Sequence, residues 1–215
     1  PMQRLGVAPP RQPWLAAGPA ARGEGQPPAA SSAVSIAHLA RKDSKVLGMV
    51  GAGHQSTFQL RAAVEQRDFE KVVCWNFHPE QIPNLAAVAE ELGLPFESVT
   101  REELCAQADV IITITSAFEA LIDKDWIRPG THIACMGTDT QGKQEVDAKL
   151  LTVAKVFTDE LTQSISLGEA QHAIASKLIL QDDITPIGEV INGTKPGRTS
   201  AEDITLFDGT GVGTV

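Results

Sequence analysis

Residues 46–77 constrain this chain more than any other stretch. Val46-Leu47-Gly48-Met49-Val50 is an apolar run of strand character, followed by Gly51-Ala52-Gly53-His54-Gln55-Ser56, a helical pattern from Thr57 to Gln66, and a second strand-like run, KVVCWNF, at 71–77. In the pattern G-x-G-x-x-G/A the first glycine permits a tight turn and the second lets a pyrophosphate approach the backbone. The third position lets helix and strand pack closely. Here that third position is Ser56, a side chain small enough for the same packing. Alone the glycine pattern is weak, but it follows a strand, opens a helix and precedes a second strand, which is the context it requires. The turn is therefore expected to bind a dinucleotide. Gly51, Gly53, His54 and Gln55 would surround the pyrophosphate, where free N–H groups and the partial positive charge of a helix start favour an anion.

The segments that follow repeat the alternation. A helix over 84–91 stopped by Gly93, a short strand at 95–99, a helical turn at 101–108, a β-branched apolar strand at 109–116, and strands at 131–137 and 153–160 are expected. Strands alternating with helical segments at this spacing imply an α/β fold, a doubly wound parallel sheet of the Rossmann type. That domain is expected to span 46–190, with a helix in 31–45 leading into it and a return segment at 191–215. Residues 1–30 are a different kind of sequence. They hold seven of the thirteen prolines and few residues able to build a core, so they read as a poorly ordered or non-native leader.

With 215 residues, 42% of them hydrophobic and 21% charged, the chain can bury a substantial core. No apolar run approaches the roughly 20 residues that span a bilayer, and the N-terminus lacks the pattern of a signal peptide. A cytoplasmic protein without membrane contact is expected. Residues 1–45 carry six basic and two acidic side chains, a net of +4, and the net charge of −9 leaves −13 on the remainder. That balance argues against nucleic acid as a partner. Cys74, Cys105 and Cys135 are odd in number and set in apolar surroundings, which favours buried thiols over disulfides or metal ligands. No metal is expected.

Cofactor choice is read near the end of the second strand, where an acid favours a free ribose hydroxyl and an Arg favours a 2′-phosphate. This chain offers neither. Asn76 stands there, followed by Phe77, His78 and Pro79. Asn76 can hydrogen-bond a ribose hydroxyl and His78 can assist, or both can simply cap the turn. The lack of an adjacent Arg tips the expectation slightly toward NAD(H) over NADP(H). The carboxyl ends of the strands in such a sheet line the ligand crevice, so Asp139, two residues after Gly137, would face the nicotinamide end. The alternative is that Asp139 caps the next segment. Lys143 and Glu145 follow at once.

The stretches GAGHQ, WNFHPE, ADVIITITS, WIRPGTHIACMGTDTQGKQEVD and PGRTSAEDITLFDGTG together resemble the ornithine cyclodeaminase and mu-crystallin family of NAD(P)-dependent proteins. The resemblance runs from about Ser31 to Gly211. It implies Asp139 as the catalytic aspartate, Gly51, Gly53, His54 and Gln55 as the pyrophosphate loop, and Asn76 as the ribose-reading position. Thr115, Met136 and Gly137 would line the cofactor and Lys143 would contact substrate. It also implies a homodimer whose substrate-binding and dimerising half is largely missing here, as in a truncated or frame-disrupted product, so that this chain alone would be inactive. The implied reaction removes hydride from the α-carbon of an amino acid, cyclising ornithine to proline with loss of ammonia. Imine reductases and amino-acid dehydrogenases of the same family are the alternative. A non-catalytic, crystallin-like NAD(P)-binding protein and a remnant without function remain as further readings.

Gly53→Asp should abolish dinucleotide affinity while leaving folding nearly intact, because it places a bulky negative charge where a pyrophosphate must approach. A titration with NAD(H) checks this, and an unchanged affinity would move the site away from the turn.

Overall fold

The computed structural model describes residues 26–210. In chain order the principal elements are α1 (Gln26–Leu39), β1 (Val46–Val50), α2 (His54–Val64), β2 (Lys71–Trp75), α3 (Ile82–Glu91), β3 (Phe96–Ser98), α4 (Arg101–Gln107), β4 (Val110–Thr113) and β5 (Phe118–Ile122). They continue with β6 (His132–Cys135), β7 (Gln144–Val146), β8 (Lys155–Thr158), α5 (Leu161–Ser166), α6 (Gln171–Ala175), β9 (Ile184–Pro186), α7 (Ile187–Ile191) and β10 (Thr205–Asp208). Eight strands form one sheet in the order β3-β2-β1-β4-β6-β10-β8-β9, every neighbouring pair parallel. Strands β5 and β7 form a small parallel pair beside it. This is the expected α/β architecture.

A parallel sheet covered on both faces needs strands apolar on both sides, and β1 and β4 satisfy that. Leu47, Met49, Val110 and Ile112 enter one core with Ile36, Leu39, Leu60 and Leu85. Val50 and Ile111 enter the other with Leu104, Ile133, Leu150 and Leu206. Gly48 sets the spacing of the second layer: a Cβ there would lie 2.8 Å from Leu104 Cδ2 and 2.9 Å from Ala108 Cβ, so α4 approaches β1 closer than a larger residue would allow. Helix α4 starts at a capping box, with the Thr100 hydroxyl receiving the Glu103 N–H and the Glu103 carboxylate receiving the Thr100 N–H. Cys74, Cys105 and Cys135 are all buried free thiols. No helix among the described residues is long and apolar enough to cross a membrane.

Several boundaries differ from the sequence reading, and three bear on the architecture. Helix α2 begins at His54, three residues earlier than expected, because Gly53 itself serves as the N-cap and the glycine turn runs directly into the helix. Helix α1 begins at Gln26, inside the stretch read as a leader, since two prolines near a helix start are tolerated where N–H groups have no intrahelical partner; residues 1–25 lie outside the described range. The largest difference is β10. The segment 191–215 was read as a return out of the domain, yet Thr205–Asp208 is wholly buried and paired on both sides, with β6 and with β8. The sheet therefore extends past residue 190. Arg198 helps to hold this strand in place, its guanidinium donating to Leu39 O at 2.7 Å and to Thr205 Oγ1 at 3.0 Å.

Phe207 is 1% exposed in the middle of β10. Phe207→Ala should lower stability by about 3–5 kcal/mol, as large-to-small changes in a packed core do, read by urea unfolding. A loss well under 1 kcal/mol would contradict a central β10.

Candidate cofactor and catalytic site

The carboxyl ends of β1, β2, β4, β6 and β10 meet along one edge of the sheet, and the residues singled out in the sequence gather there. Gly51 leaves β1 with φ +112°, and a Cβ on it would lie 2.4 Å from the Ile114 carbonyl oxygen, so glycine is required both for the conformation and for the approach to the end of β4. Gly53 has the opposite character. A Cβ there would meet nothing within 4 Å, leaving open space in front of the start of α2. No side chain caps that start, and the first N–H groups of a helix have no intrahelical partner. Gln55 Oε1 is buried without a hydrogen-bond partner. Ser56 is buried and donates its hydroxyl to Gly53 O at 2.6 Å, closing the turn from inside. The open space and the uncapped N–H donors fit a phosphate-bearing ligand, whereas the orphaned Gln55 oxygen is an acceptor and calls for a donor such as a hydroxyl. His54 is exposed, its ring edge-on to Phe58 with centroids 5.3 Å apart.

Asn76 ties the glycine turn to the loop after β2. Its Oδ1 accepts from Ala52 N at 3.1 Å, and its Nδ2 donates to His78 O at 2.7 Å and to Gln81 Oε1 at 3.2 Å. The side chain thus fixes the turn, as in the capping alternative, and both of its N–H groups are engaged. His78 is exposed and pairs with Glu80 at 3.3 Å. Exposed Phe77 lies beside it, rings 5.2 Å apart.

At the other end of the crevice, Thr115, Met136 and Gly137 form adjoining turns after β4 and β6. Glu145, which is fully buried in β7, accepts from the Thr115 N–H and hydroxyl, the Thr113 hydroxyl and the Gly137 N–H, all within 2.9 Å. Asp139 follows on an exposed loop. Lys143 Nζ contacts Asp139 Oδ1 at 2.6 Å and Gly137 O at 3.3 Å, and the Thr140 hydroxyl donates to Asp139 at 3.0 Å. Partial burial opposes its ionisation, but Lys143 and Thr140 outweigh it and hold the Asp139 carboxyl below its usual range. It is a carboxylate at neutral pH. Gly137, Asp139 and Lys143 lie together in one cluster, with the Lys143 ammonium directed at Asp139.

Sequence reading missed the buried acids beneath this edge. Glu169 accepts from the Thr138 hydroxyl at 2.5 Å and from the N–H groups of Glu145 and Val146. Burial and the neighbouring Glu145 push its carboxyl up to about 8. Asp208, at the end of β10, accepts from the Ser164 hydroxyl at 2.5 Å, keeps Oδ1 without a partner, and is pushed by burial up to about 7. His132, enclosed between the hydroxyls of Ser35 at 3.1 Å and Thr205 at 2.9 Å, is held by burial down to about 3 and stays neutral. Their flanks, such as Ile133, Ala170 and Phe207, are apolar, but a single sequence does not show that these polar side chains themselves turn into the interior. A cavity of about 390 Å³ lined by Leu151, Lys155, Leu178 and Asp183 lies beside β8 and β9, away from these turns.

A family model described as the ornithine cyclodeaminase/mu-crystallin family matches residues 27–214. The chain belongs to that family. It is 57% identical over 185 residues to the iminosuccinate reductase of Paracoccus denitrificans, covering 86% of this chain and 58% of the relative. The structure of that reductase in complex with NAD+ superposes with a TM-score of 0.84, over 86% of this chain and 57% of the other. The alanine dehydrogenase of Archaeoglobus fulgidus is 36% identical over 184 residues, covering 85% of this chain and 57% of the relative. The Thermococcus litoralis Δ1-pyrroline-2-carboxylate reductase, solved with NADH and L-proline, is 30% identical with a TM-score of 0.83, covering 86% and 58%. The chain thus spans a little under three-fifths of the length of these relatives.

The buried groups set a pH dependence of stability. The folded chain keeps protons on Glu169 and Asp208 that the unfolded chain releases at the ordinary values of 4.5 and 3.8, so their contribution is present at low pH and lost as pH rises through about 7 to 8. His132 acts with opposite sign, its contribution being lost as pH falls below 6.5 toward about 3. Between pH 6.5 and 8 only the carboxyl effect remains, and the melting temperature should fall across that window. Glu169→Gln, which has the shape of the protonated acid, should flatten the fall in melts taken at stepped pH. An equally steep fall in the variant would assign it to other groups.

Proposed function

We propose that this chain is the cofactor-binding part of an NAD(H)-dependent imino-acid reductase acting on a small α-imino acid. The observation that carries the reading is the 57% identity to an iminosuccinate reductase across 86% of this chain, and two features of the crevice support it: the open glycine turn and the ionised Asp139. The comparisons favour this over ornithine cyclodeamination, which the sequence reading placed first. Iminosuccinate is the substrate to test first, and its reduction yields aspartate.

The chain's own residues supply binding and charge. Gly51 and Gly53 leave room for a pyrophosphate and the start of α2 offers it N–H donors. Thr115, Met136 and Gly137 would form the wall of the nicotinamide half. A bound nicotinamide supplies hydride to the imine carbon. Reduction adds that hydride to carbon and a proton to nitrogen, and the C=N bond accepts hydride far better once the nitrogen is protonated. Asp139, held ionised on the exposed loop, would face that positive charge. Lys143 keeps Asp139 oriented and, being only 16% exposed in its side chain, does so from a fixed position. NAD(H) in preference to NADP(H), a homodimer and a cytoplasmic setting belong to the same proposal. The NAD-bound structures of relatives support the first, and a dimeric NAD-bound archaeal alanine dehydrogenase the second.

The test joins this chain to a substrate-binding half. NADH oxidation with iminosuccinate should exceed that with any product of ornithine, and conversion of ornithine to proline without net NADH consumption would overturn the reading. In the same protein Asp139→Asn should leave NADH affinity within about twofold. It should cut turnover by on the order of 10²- to 10⁴-fold, as loss of a positioned proton-transfer or charge-stabilising group does. A parent rate in that variant would reduce Asp139 to a loop residue.

A further inference from the structure

The turns after β4 and β6 are joined by a side chain that neither strand supplies. Each oxygen of the Glu145 carboxylate accepts one backbone N–H: Oε1 from Thr115 at 2.7 Å and Oε2 from Gly137 at 2.9 Å. The Thr115 hydroxyl adds a contact to Oε1 at 2.8 Å and the Thr113 hydroxyl one to Oε2 at 2.6 Å. Gly137 makes room for the clamp, since a Cβ there would lie 2.4 Å from Glu145 Oε1 and 2.3 Å from Thr115 O. Behind it, Glu169 accepts from the N–H of Glu145 at 3.0 Å and of Val146 at 2.8 Å, which fixes the backbone that carries the clamp. A carboxylate alone fits this place. An amide of the same size would turn its NH₂ toward one of two fixed backbone donors and leave that donor buried without an acceptor.

We propose that Glu145 is a positioning residue for the nicotinamide half of the cofactor site, locking the turn at Thr115 against the turn at Gly137 and thereby setting where Asp139 stands. The inference rests on the reading of the crevice as a dinucleotide site. The glycine turn at 51–55 packs against the Ile114–Thr115 turn but, like the Asn76 loop where the adenine half would lie, makes no hydrogen bond to Glu145, so losing the clamp should act chiefly on the nicotinamide end.

That asymmetry supplies a readout that general loss of structure does not imitate. The chain is titrated with ADP, which carries only the adenine half, and with NAD+. Glu145→Gln should bind ADP within about twofold of the parent and NAD+ about tenfold more weakly, an effect of the size expected for one buried donor left unpaired and equal to about 1.4 kcal/mol. Thr113→Val, which removes one hydroxyl donor and keeps a shape suited to a strand, should shift NAD+ in the same direction by a smaller factor, and it decides the matter if Glu145→Gln does not fold. Equal losses for ADP and NAD+, or unchanged NAD+ affinity in a folded variant, overturn the proposal. A parent chain that binds neither nucleotide overturns the dinucleotide reading and this proposal with it.

Discussion

Every strand of the eight-stranded sheet points the same way, and this constraint organises the rest of the molecule. It brings the carboxyl ends of the central strands to one edge, where the chain must turn away from each strand toward a covering helix. The backbone N–H groups in those turns lose their ladder partners in a place that helices shield from water, and a buried N–H without an acceptor is costly. Two answers are built into this edge. Where α2 starts, the donors are left facing open space at Gly53. Where β4 and β6 end, acidic side chains take up the donors, Glu145 from Thr115 and Gly137 and Glu169 from Glu145 and Val146.

The second answer has an electrostatic cost. Glu145, Glu169 and Asp208 are all fully buried, and burial raises the carboxyl of each. Burial is the largest influence on Glu145, and its four hydrogen-bond donors pull against it without reversing the upward shift. Glu169, with Glu145 beside it, is pushed up to about 8 and holds its proton at neutral pH. Three full negative charges buried in one hydrogen-bonded frame would be costly, and burial raises all three carboxyls accordingly.

Legibility in the sequence follows the same division. The first strand, the glycine turn and the apolar run at 109–116 could be read because strand burial on both faces and the need for φ above zero leave unambiguous residues, Val-Ile-Ile and Gly. The strand β10 could not. Thr205-Leu206-Phe207-Asp208 is four residues long, half of them polar, and follows a stretch of turns. It becomes a central strand only because β6 and β8 leave a gap between them and its Thr205 and Asp208 find partners in His132 and Ser164. Glu145 stood in plain view in the motif that carries Asp139. Its burial depends on β7 pairing with β5, an arrangement of short strands with no strong periodic signal.

Acids of two opposite kinds therefore share one edge of the sheet. Asp139 stands on an exposed loop with Lys143 and Thr140 donating to it, and its carboxyl is held low. Glu169 and Asp208 lie beneath, pushed up toward neutrality. Titratable groups whose environments drive them apart mark the assignment of roles in a site. A permanent carboxylate is suited to facing a cationic imine, whereas a buried protonated acid is suited to holding backbone turns without adding charge. If the roles were exchanged, an ionised Glu169 would sit against Glu145 and loosen the frame. A protonated Asp139 would meet the proposed iminium as a neutral group and lose the attraction that its place at the crevice provides. The reductase reading thus asks of Asp139 the charge state that Lys143 and Thr140 already impose on it.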